Sequence, residues 1–257
     1  MTETTDPIDR AAANAEALAE LSRDGYCVIR RRSGRGTPDV YLLEFAQKLG
    51  DLYVPPDCDP ASPLIRTAPR RARRAAPFDR REAIGWHGDF SSHVDRPELS
   101  LSYVTRADPR GGDFGAWRLA SVARVVEALR ASETGRAVLS FLTATALPFS
   151  YADGEEPRTF SVFEPRPEGT LGLRFYRPSI ERGCATAYGE VPRDVASALT
   201  AVERAADEVA EVVQTSEGSL LIANNWFALH DRMPQTISRK RPNREALLCF
   251  VSRQTPR

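Results

Sequence analysis

The sequence is poor in the residues and segments that mark several common classes of protein. Its four cysteines include no CxxC pair, and no secretory leader precedes them, which argues against a disulfide scaffold. No apolar run approaches the ~20 residues that a helix needs to cross a bilayer. The 35 acidic and 35 basic residues cancel, so no net charge attracts nucleic acid or an anionic membrane. We therefore expect a cytoplasmic protein that binds a small molecule, and neither nucleic acid nor a membrane.

Histidine is also scarce, and its three copies are unevenly placed. His87 and His93 lie close together, and His87 is two residues from Asp89. In an extended segment the side chains alternate between two sides, so residues two apart point the same way. The imidazole of His87 and the carboxylate of Asp89 can therefore converge on one metal ion. His93 stands in a polar Ser-Ser-His run and is predicted to be a supporting or lid residue and not a ligand.

The helix and strand patterns indicate a mainly β domain with flanking helices. Apolar periodicity and helix-forming residues predict helices at 10–22, 38–49, about 120–131 and about 193–212. Alternating or apolar β-prone runs predict strands at 26–29, 99–104, 159–163, 171–176, 219–223 and 246–251. The regular βαβ alternation of a doubly wound sheet is absent, so we expect an antiparallel sandwich or barrel. A single domain over residues 1–257 suits this length.

Between residues 55 and 82 the pattern gives way to prolines and arginines, and we predict a long loop. A solvated segment without packed structure is one interpretation. Long loops in compact domains often close over ligands, and this one leads into Trp86 and His87. A lid over a substrate is therefore the other interpretation.

The third histidine, His230, follows the apolar strand at 219–223, and Arg244 comes fourteen residues later at the start of the last apolar strand. If these strands are antiparallel neighbours, Arg244 lies near His230. Two histidines and one carboxylate on one face of a metal leave three positions open, as in non-haem Fe(II) oxygenases. Zinc prefers a tetrahedron, and the zinc-protease pattern HExxH is absent. A guanidinium fork near the metal suits a carboxylate, so a dicarboxylate co-substrate is expected.

These features resemble the TauD/TfdA-like, clavaminate-synthase-like branch of the Fe(II)- and 2-oxoglutarate-dependent oxygenases. The similar segments are the WHxD-like Trp86-His87-Gly88-Asp89-Phe90, the glycine-rich turn Pro109-Arg110-Gly111-Gly112-Asp113, and residues 218–232, which end in Leu229-His230-Asp231-Arg232. The resemblance implies a double-stranded β-helix, or jelly roll, that holds Fe(II) through His87, Asp89 and His230. It also implies 2-oxoglutarate and O2 as co-substrates, with Arg244 holding the distal carboxylate of 2-oxoglutarate.

Two positions depart from the pattern of that family. Phe114 stands where a threonine often helps to hold the 2-oxoglutarate carboxylate, and Asp231 stands where glycine is usual. Asp231 is predicted to contact the substrate or to support the metal ligand beside it, and a surface position is the alternative. Trp86 is predicted to form a wall of the substrate pocket. Arg174 is predicted to bind a substrate carboxylate if it faces the cavity, and to be solvated if it faces outward.

The resemblance implies an enzyme that hydroxylates an unactivated C–H bond of a small carboxylate-bearing molecule, such as an amino acid or a natural-product intermediate. Hydroxylation is expected because Asp89 is present, since halogenating relatives replace this carboxylate with a small residue so that chloride can bind the iron. The same centre could instead serve desaturation or cyclisation. Two other classes stay open, namely a zinc hydrolase with the same three ligands and a jelly-roll binding module without catalysis.

Overall fold

The computed structural model describes residues 7–30, 37–55, 58–59, 61–70, 76–167 and 169–252, with the side chains of the first helix described from Glu16 onward. The helices in these ranges are α1 (Pro7–Asp24), α2 (Pro38–Leu49), α3 (Val122–Arg130), α4 (Glu133–Ala144), α5 (Arg177–Tyr188) and α6 (Arg193–Val209). The strands are β1 (Tyr26–Arg30), β2 (Asp51–Tyr53), β3 (Ile65–Thr67), β4 (Leu99–Arg106), β5 (Trp117–Ser121), β6 (Ala146–Phe149), β7 (Arg158–Ser161), β8 (Phe163–Pro165), β9 (Leu171–Leu173), β10 (Glu211–Val213), β11 (Ser219–Asn224), β12 (Ala228–Arg232) and β13 (Glu245–Ser252).

The larger sheet has the strand order β1-β11-β4-β13-β2, and β3 also pairs with β13. All of its pairs are antiparallel. On one face, Leu42 and Ala46 of α2 pack in a cluster with Leu101, Ile222 and Leu247 of the sheet. The other face meets a second sheet, so β11 is buried at every position, which explains its continuous apolar sequence.

The second sheet has the order β10-β5-β12 and is also antiparallel. Leu119 packs with Val104 and Leu221 of the larger sheet, whereas its neighbour Ala120 packs on the opposite side with the core of helices α3, α4 and α6. His230 is the cross-strand partner of Leu119, so its side chain faces the larger sheet. Asp231 is the next residue in the strand and therefore faces the helices.

The expected fold class, mainly β with flanking helices and antiparallel jelly-roll pairing, is confirmed, and all four expected helices are present. Helices α4 and α5 were not expected from the sequence. The expected strand at 171–176 ends at Leu173 because α5 begins four residues later, with Pro178 in its first turn. No helix within the described ranges is long and apolar enough to span a membrane.

The expected pairing of the last strand was wrong. β4 lies between β11 and β13, and β12, which carries His230, belongs to the second sheet. The reason is that the chain crosses from one sheet to the other after β11, so strands that follow each other in sequence face each other across the core. Arg244 directly precedes β13 and therefore belongs to the opposing sheet and not to a strand beside β12.

The described part of the 55–82 segment is more ordered than a simple loop. It contains β3, paired with β13, and a 3-10 turn at Pro77–Asp79. Its end is bound to the residues after His230, because Arg232 donates to the carbonyls of Arg80 and Glu82 at 3.0 and 2.9 Å. Residues 56–57, 60 and 71–75 of the predicted lid lie outside the described ranges, and the lid function stays a prediction.

Candidate metal centre

Backbone pairing brings the two candidate histidine ligands side by side. The amide of His87 donates to the carbonyl of His230 at 3.0 Å, and the amide of His230 donates to the carbonyl of His87 at 2.9 Å. This reciprocal pair is the closely spaced arrangement of an antiparallel ladder, in which opposite side chains share one face. The imidazole ring centroids are 4.2 Å apart.

Asp89 completes a cluster of three possible ligands. Its carboxylate oxygens lie 3.6 Å from Nε2 of His87 and 3.4 Å from Nε2 of His230, and one ligand atom from each residue lies within 4.8 Å of the others. Ligands bonded to one ion at ~2.1 Å stand about 3 Å apart at right angles. The cluster therefore needs little adjustment to close on a metal ion, and all three ligands approach from one side.

The protonation of the cluster also suits a metal. Nδ1 of His87 lies 2.8 Å from the carbonyl oxygen of Gly85, which fixes the proton on Nδ1 and leaves the Nε2 lone pair free toward Asp89. Burial, and next the charge of His230, lower the pKa of His87. Burial alone would raise the pKa of Asp89, but the charge and hydrogen bond of His230 hold it well below its usual value. A neutral imidazole facing a carboxylate is a donor set for a cation.

Asp89 is held in place through its backbone by Arg96 and Asn225. Its amide donates to Oδ1 of the fully buried Asn225 at 3.0 Å, and its carbonyl accepts from Nε of Arg96 at 3.1 Å. The next residue, Phe90, has a φ of 57°, in the left-handed region that non-glycine residues seldom adopt. A Cβ on Gly88 would press against the guanidinium of Arg96 and lie 3.0 Å from the carbonyl oxygen of Asn225, so a side chain here would displace Arg96. The bend after His87 is thus closely packed.

Arg244 directly precedes β13 and is 3 % exposed. No acidic partner within salt-bridge distance is found for it among the described residues, and its Nε atom is buried without a hydrogen-bond partner there. Burial, and next the neighbouring charge of Arg232, lower the pKa of Arg244 to about 10, so the side chain is still a cation at neutral pH. A buried, unpaired guanidinium calls for an anionic ligand.

Further buried polar atoms without partners in the described structure occur near Arg244. They include Oγ1 of Thr236, Oε1 of Gln235 and Nε of Arg232. The amide of Thr236 donates to Asp108 at 2.7 Å, and the charge of Asp108 acts on Arg244. Native proteins rarely leave several buried polar groups without partners, so this cluster is suited to a bound polar molecule.

Two of the predicted substrate contacts have other partners in the structure. Trp86 is 4 % exposed, and its Nε1 donates to Asp207 at 2.8 Å. Asp231 is 2 % exposed, accepts from the amide of Gly85 at 2.9 Å and lies 3.5 Å from Arg118. Both side chains are thus held on the helix side of the second sheet, and their predicted contact with a substrate is untested.

Arg174 is buried and does not point outward to solvent. It is 3 % exposed, forms a 2.7 Å ion pair with Glu164, and donates to the carbonyls of Ser91 and His93. Its predicted contact with a substrate carboxylate stays a prediction. Glu164 lies in β8, and Arg174 directly follows the paired strand β9. No local sequence pattern indicated this pairing.

The sequence patterns missed the residues that support the centre. Arg96 and Asn225 act on Asp89 from a distance of 7 and 136 residues, respectively. Their role depends on tertiary packing, and the one available sign was the pair of asparagines directly before Trp226. Gly85 was missed as well, although glycine two residues before a candidate ligand is a sign of an unusual backbone conformation.

Comparisons with known proteins agree with this geometry. Residues 3–248 match the family described as "Taurine catabolism dioxygenase TauD, TfdA family". An asparagine oxygenase solved with Fe(II), 2S,3S-3-hydroxyasparagine and succinate has a TM-score of 0.74 and 20% identity, covering 94% of this chain and 79% of its own. The non-heme iron oxygenase OrfP with Fe, succinate and (3S)-hydroxy-L-Arg has a TM-score of 0.69 and 14% identity, covering 97% and 82%. A taurine dioxygenase from Burkholderia xenovorans has a TM-score of 0.67 and 17% identity, covering 99% and 85%. No curated protein sequence matches the chain.

The fold and the three-ligand cluster define a jelly-roll oxygenase of the non-haem iron class, and the expected Fe(II)- and 2-oxoglutarate-dependent dioxygenase is confirmed. Within that class, the chain belongs to the TauD/TfdA family. The expected cofactor and co-substrates, Fe(II), 2-oxoglutarate and O2, follow from this assignment.

Proposed function

We propose that His87, Asp89 and His230 hold the iron, that Arg244 holds 2-oxoglutarate, and that the enzyme hydroxylates a C–H bond of a small carboxylate-bearing molecule such as an amino acid. The observation that carries the proposal is the convergence of the three ligand atoms within 4.8 Å, with the His87 proton fixed on the nitrogen that faces away. No disulfide joins any two of the four cysteines, which supports the expected reducing cytoplasm.

When bound, iron with 2-oxoglutarate and O2 supplies an oxidant for unactivated C–H bonds, with one oxygen atom entering the substrate and the other entering succinate as CO2 is released. The protein supplies position and shielding. Three protein ligands would hold the iron and leave its remaining positions to the co-substrates. Tyr176 is half-buried, and its ring centroid lies 5.7 Å from that of His87. The protein's part is to hold the ligands and to exclude water.

The proposed substrate class has two lines of support. The similar oxygenases AsnO and OrfP were solved with hydroxylated amino acids. In this chain, Arg96, Arg166 and Arg174 surround the ring of Trp226, with guanidinium carbons 4.7, 4.5 and 5.3 Å from its centroid. Glu164 pairs with one of them, and the surplus of positive charge next to Asp89 favours an anionic substrate over a cationic one.

An anaerobic titration tests the proposed centre. Apo-protein is mixed with Fe(II) and then with 2-oxoglutarate, and the visible charge-transfer band of the iron chelate is recorded. We expect the band at one equivalent of each. Succinate release in a panel of amino acids would then identify the substrate. Metal-dependent hydrolysis without O2 or 2-oxoglutarate would instead indicate a zinc hydrolase, and failure to bind a stoichiometric metal would indicate a binding module.

Thr236 is expected to assist Arg244 in holding 2-oxoglutarate. Its hydroxyl is buried without a partner in the described structure, and Phe114 stands where the family often has a threonine for this purpose. A Thr236→Val enzyme keeps the shape but loses one hydrogen bond to a charged group, worth about 1.5–3 kcal/mol. The concentration of 2-oxoglutarate that half-saturates the chelate band should therefore rise about 10-fold or more. An unchanged half-saturation would show that the hydroxyl has another role.

A further inference from the structure

The turn that precedes His87 is fixed by residues that the metal centre itself does not use. Gly85 has a φ of +90°, in the left-handed region that favours glycine. In this conformation its carbonyl oxygen accepts the Nδ1 proton of His87, two residues further on, at 2.8 Å. The orientation of the His87 ring therefore depends on the orientation of the Gly85 carbonyl.

Asp231 holds the other end of the same glycine. Its Oδ1 accepts from the Gly85 amide at 2.9 Å, and its Oδ2 lies 3.5 Å from Arg118. Asp231 is 2 % exposed, and it follows His230 in β12 but faces the opposite side of the strand. On one face of β12, His230 is thus a candidate metal ligand. On the opposite face, Asp231 holds the turn that precedes His87.

A second contact fixes the same turn at Trp86. Nε1 of Trp86 donates to Asp207 of α6 at 2.8 Å, and the guanidinium of Arg118 lies 4.5 Å from the indole centroid. Arg118 also forms an ion pair with Asp207. Arg118 therefore joins the two carboxylates, one of which holds Gly85 and the other Trp86. Asp231, Asp207 and Arg118 together restrict rotation of the peptide group between Gly85 and Trp86. The oxygen of this peptide group accepts the hydrogen bond from His87.

We propose that Asp231 is a positioning residue that orients the metal ligand His87 through Gly85, with Arg118 and Asp207 restraining the same turn. The inference rests on the proposed metal centre. It assigns a role to the acid that replaces the glycine usual in this family. Residues that orient metal-bound histidines typically contribute 10- to 100-fold to metal affinity, because a misaligned imidazole binds weakly. The ligand that His87 would bind in this orientation is a divalent metal ion.

The experiment measures Co(II) binding to the full-length apo-protein, because Co(II) does not oxidise in air as Fe(II) does. Asp231→Ala removes the acceptor for Gly85 and should weaken Co(II) binding about 10- to 100-fold. Asp231→Asn retains an oxygen that can accept from the Gly85 amide and should restore most of the affinity. Asp231→Ser, with a shorter polar side chain, should behave like the alanine variant and serves in its place if that variant fails to fold.

Asp79→Ala provides the matched control. Asp79 is also buried and also holds a backbone amide, that of Ala68 at 3.0 Å, together with an arginine, Arg70 at 3.3 Å. In the described part of the chain, no hydrogen bond or ion pair joins it to the turn at Gly85. Its loss should cost stability in the same way while leaving Co(II) affinity at the wild-type value.

A spectroscopic measurement separates positioning from general stability. In the Co(II) protein, the Nδ1 proton of His87 gives a shifted proton resonance that disappears in D2O. Its exchange should be faster in Asp231→Ala than in the wild type, because the Gly85 carbonyl is no longer held. Wild-type affinity and exchange in Asp231→Ala would overturn the proposal. Equal losses in Asp231→Ala and Asp79→Ala would overturn it too, whereas a wild-type protein that binds no Co(II) would refute the proposed metal centre itself.

Discussion

A His230→Ala chain is expected to bind Fe(II) more than 100-fold more weakly than the wild type, a larger loss than removal of an orienting residue causes. His230 supplies one of the three proposed ligand atoms. Without it, only His87 and Asp89 would hold the ion. A metal that binds only the folded state raises the melting temperature. The variant should therefore lose the Fe(II)-induced rise in Tm and the chelate band with 2-oxoglutarate, both measured anaerobically.

His93→Ala is the control for that measurement, since it removes the remaining histidine of the chain. His93 lies against Phe90 and Tyr151, with ring centroids 5.1 and 5.4 Å apart, and is not in the ligand cluster. Its replacement should leave the stoichiometry at one Fe(II) per chain. If His93→Ala lost the metal and His230→Ala kept it, the ligand assignment would be wrong.

The candidate metal ligands could be proposed from the sequence because their chemistry is rare and local. The spacing of His87 and Asp89 places both on one side of an extended segment, and no histidine other than His230 lies beyond residue 93. The antiparallel character of the sheets followed from strand patterns and from the absence of a βαβ alternation. These features depend on neighbours in the sequence, and the cluster within 4.8 Å agrees with them.

What could not be predicted depends on contacts between distant segments. The sequence placed Arg174 in a strand but could not pair it with Glu164, and it could not join Arg96 or Asn225 to Asp89. Asp231 is a different case. Alternation along a strand places neighbours on opposite faces, so a strand at His230 already implied that Asp231 faces away from the metal. Only its acceptor role toward Gly85 required the structure.

Arg244→Lys is expected to weaken 2-oxoglutarate binding about 10- to 100-fold while leaving Fe(II) binding unchanged, because lysine retains the charge but not the planar fork that forms two parallel hydrogen bonds to a carboxylate. The measurement is the 2-oxoglutarate dependence of the chelate band at saturating Fe(II). Arg106→Lys is the matched control, because Arg106 lies across the sheet from Glu245 and its side chain is 47 % exposed.

The surroundings of Arg244 make this prediction sharper. A Cβ on Gly115 would lie 2.5 Å from Cδ of Arg244, and Gly115 has a φ of +70°, so the guanidinium is held against a position that only glycine fills without strain. Gly115→Ala should therefore displace the same guanidinium and reproduce the loss without removing any charge.

If both variants bound 2-oxoglutarate normally and Arg241→Lys did not, the co-substrate would be held by Arg241. This exposed arginine donates to the carbonyl of Pro109. Because Arg244 is buried without an acidic partner in the described structure, whereas Arg241 already has an acceptor and is open to solvent, we expect the first result.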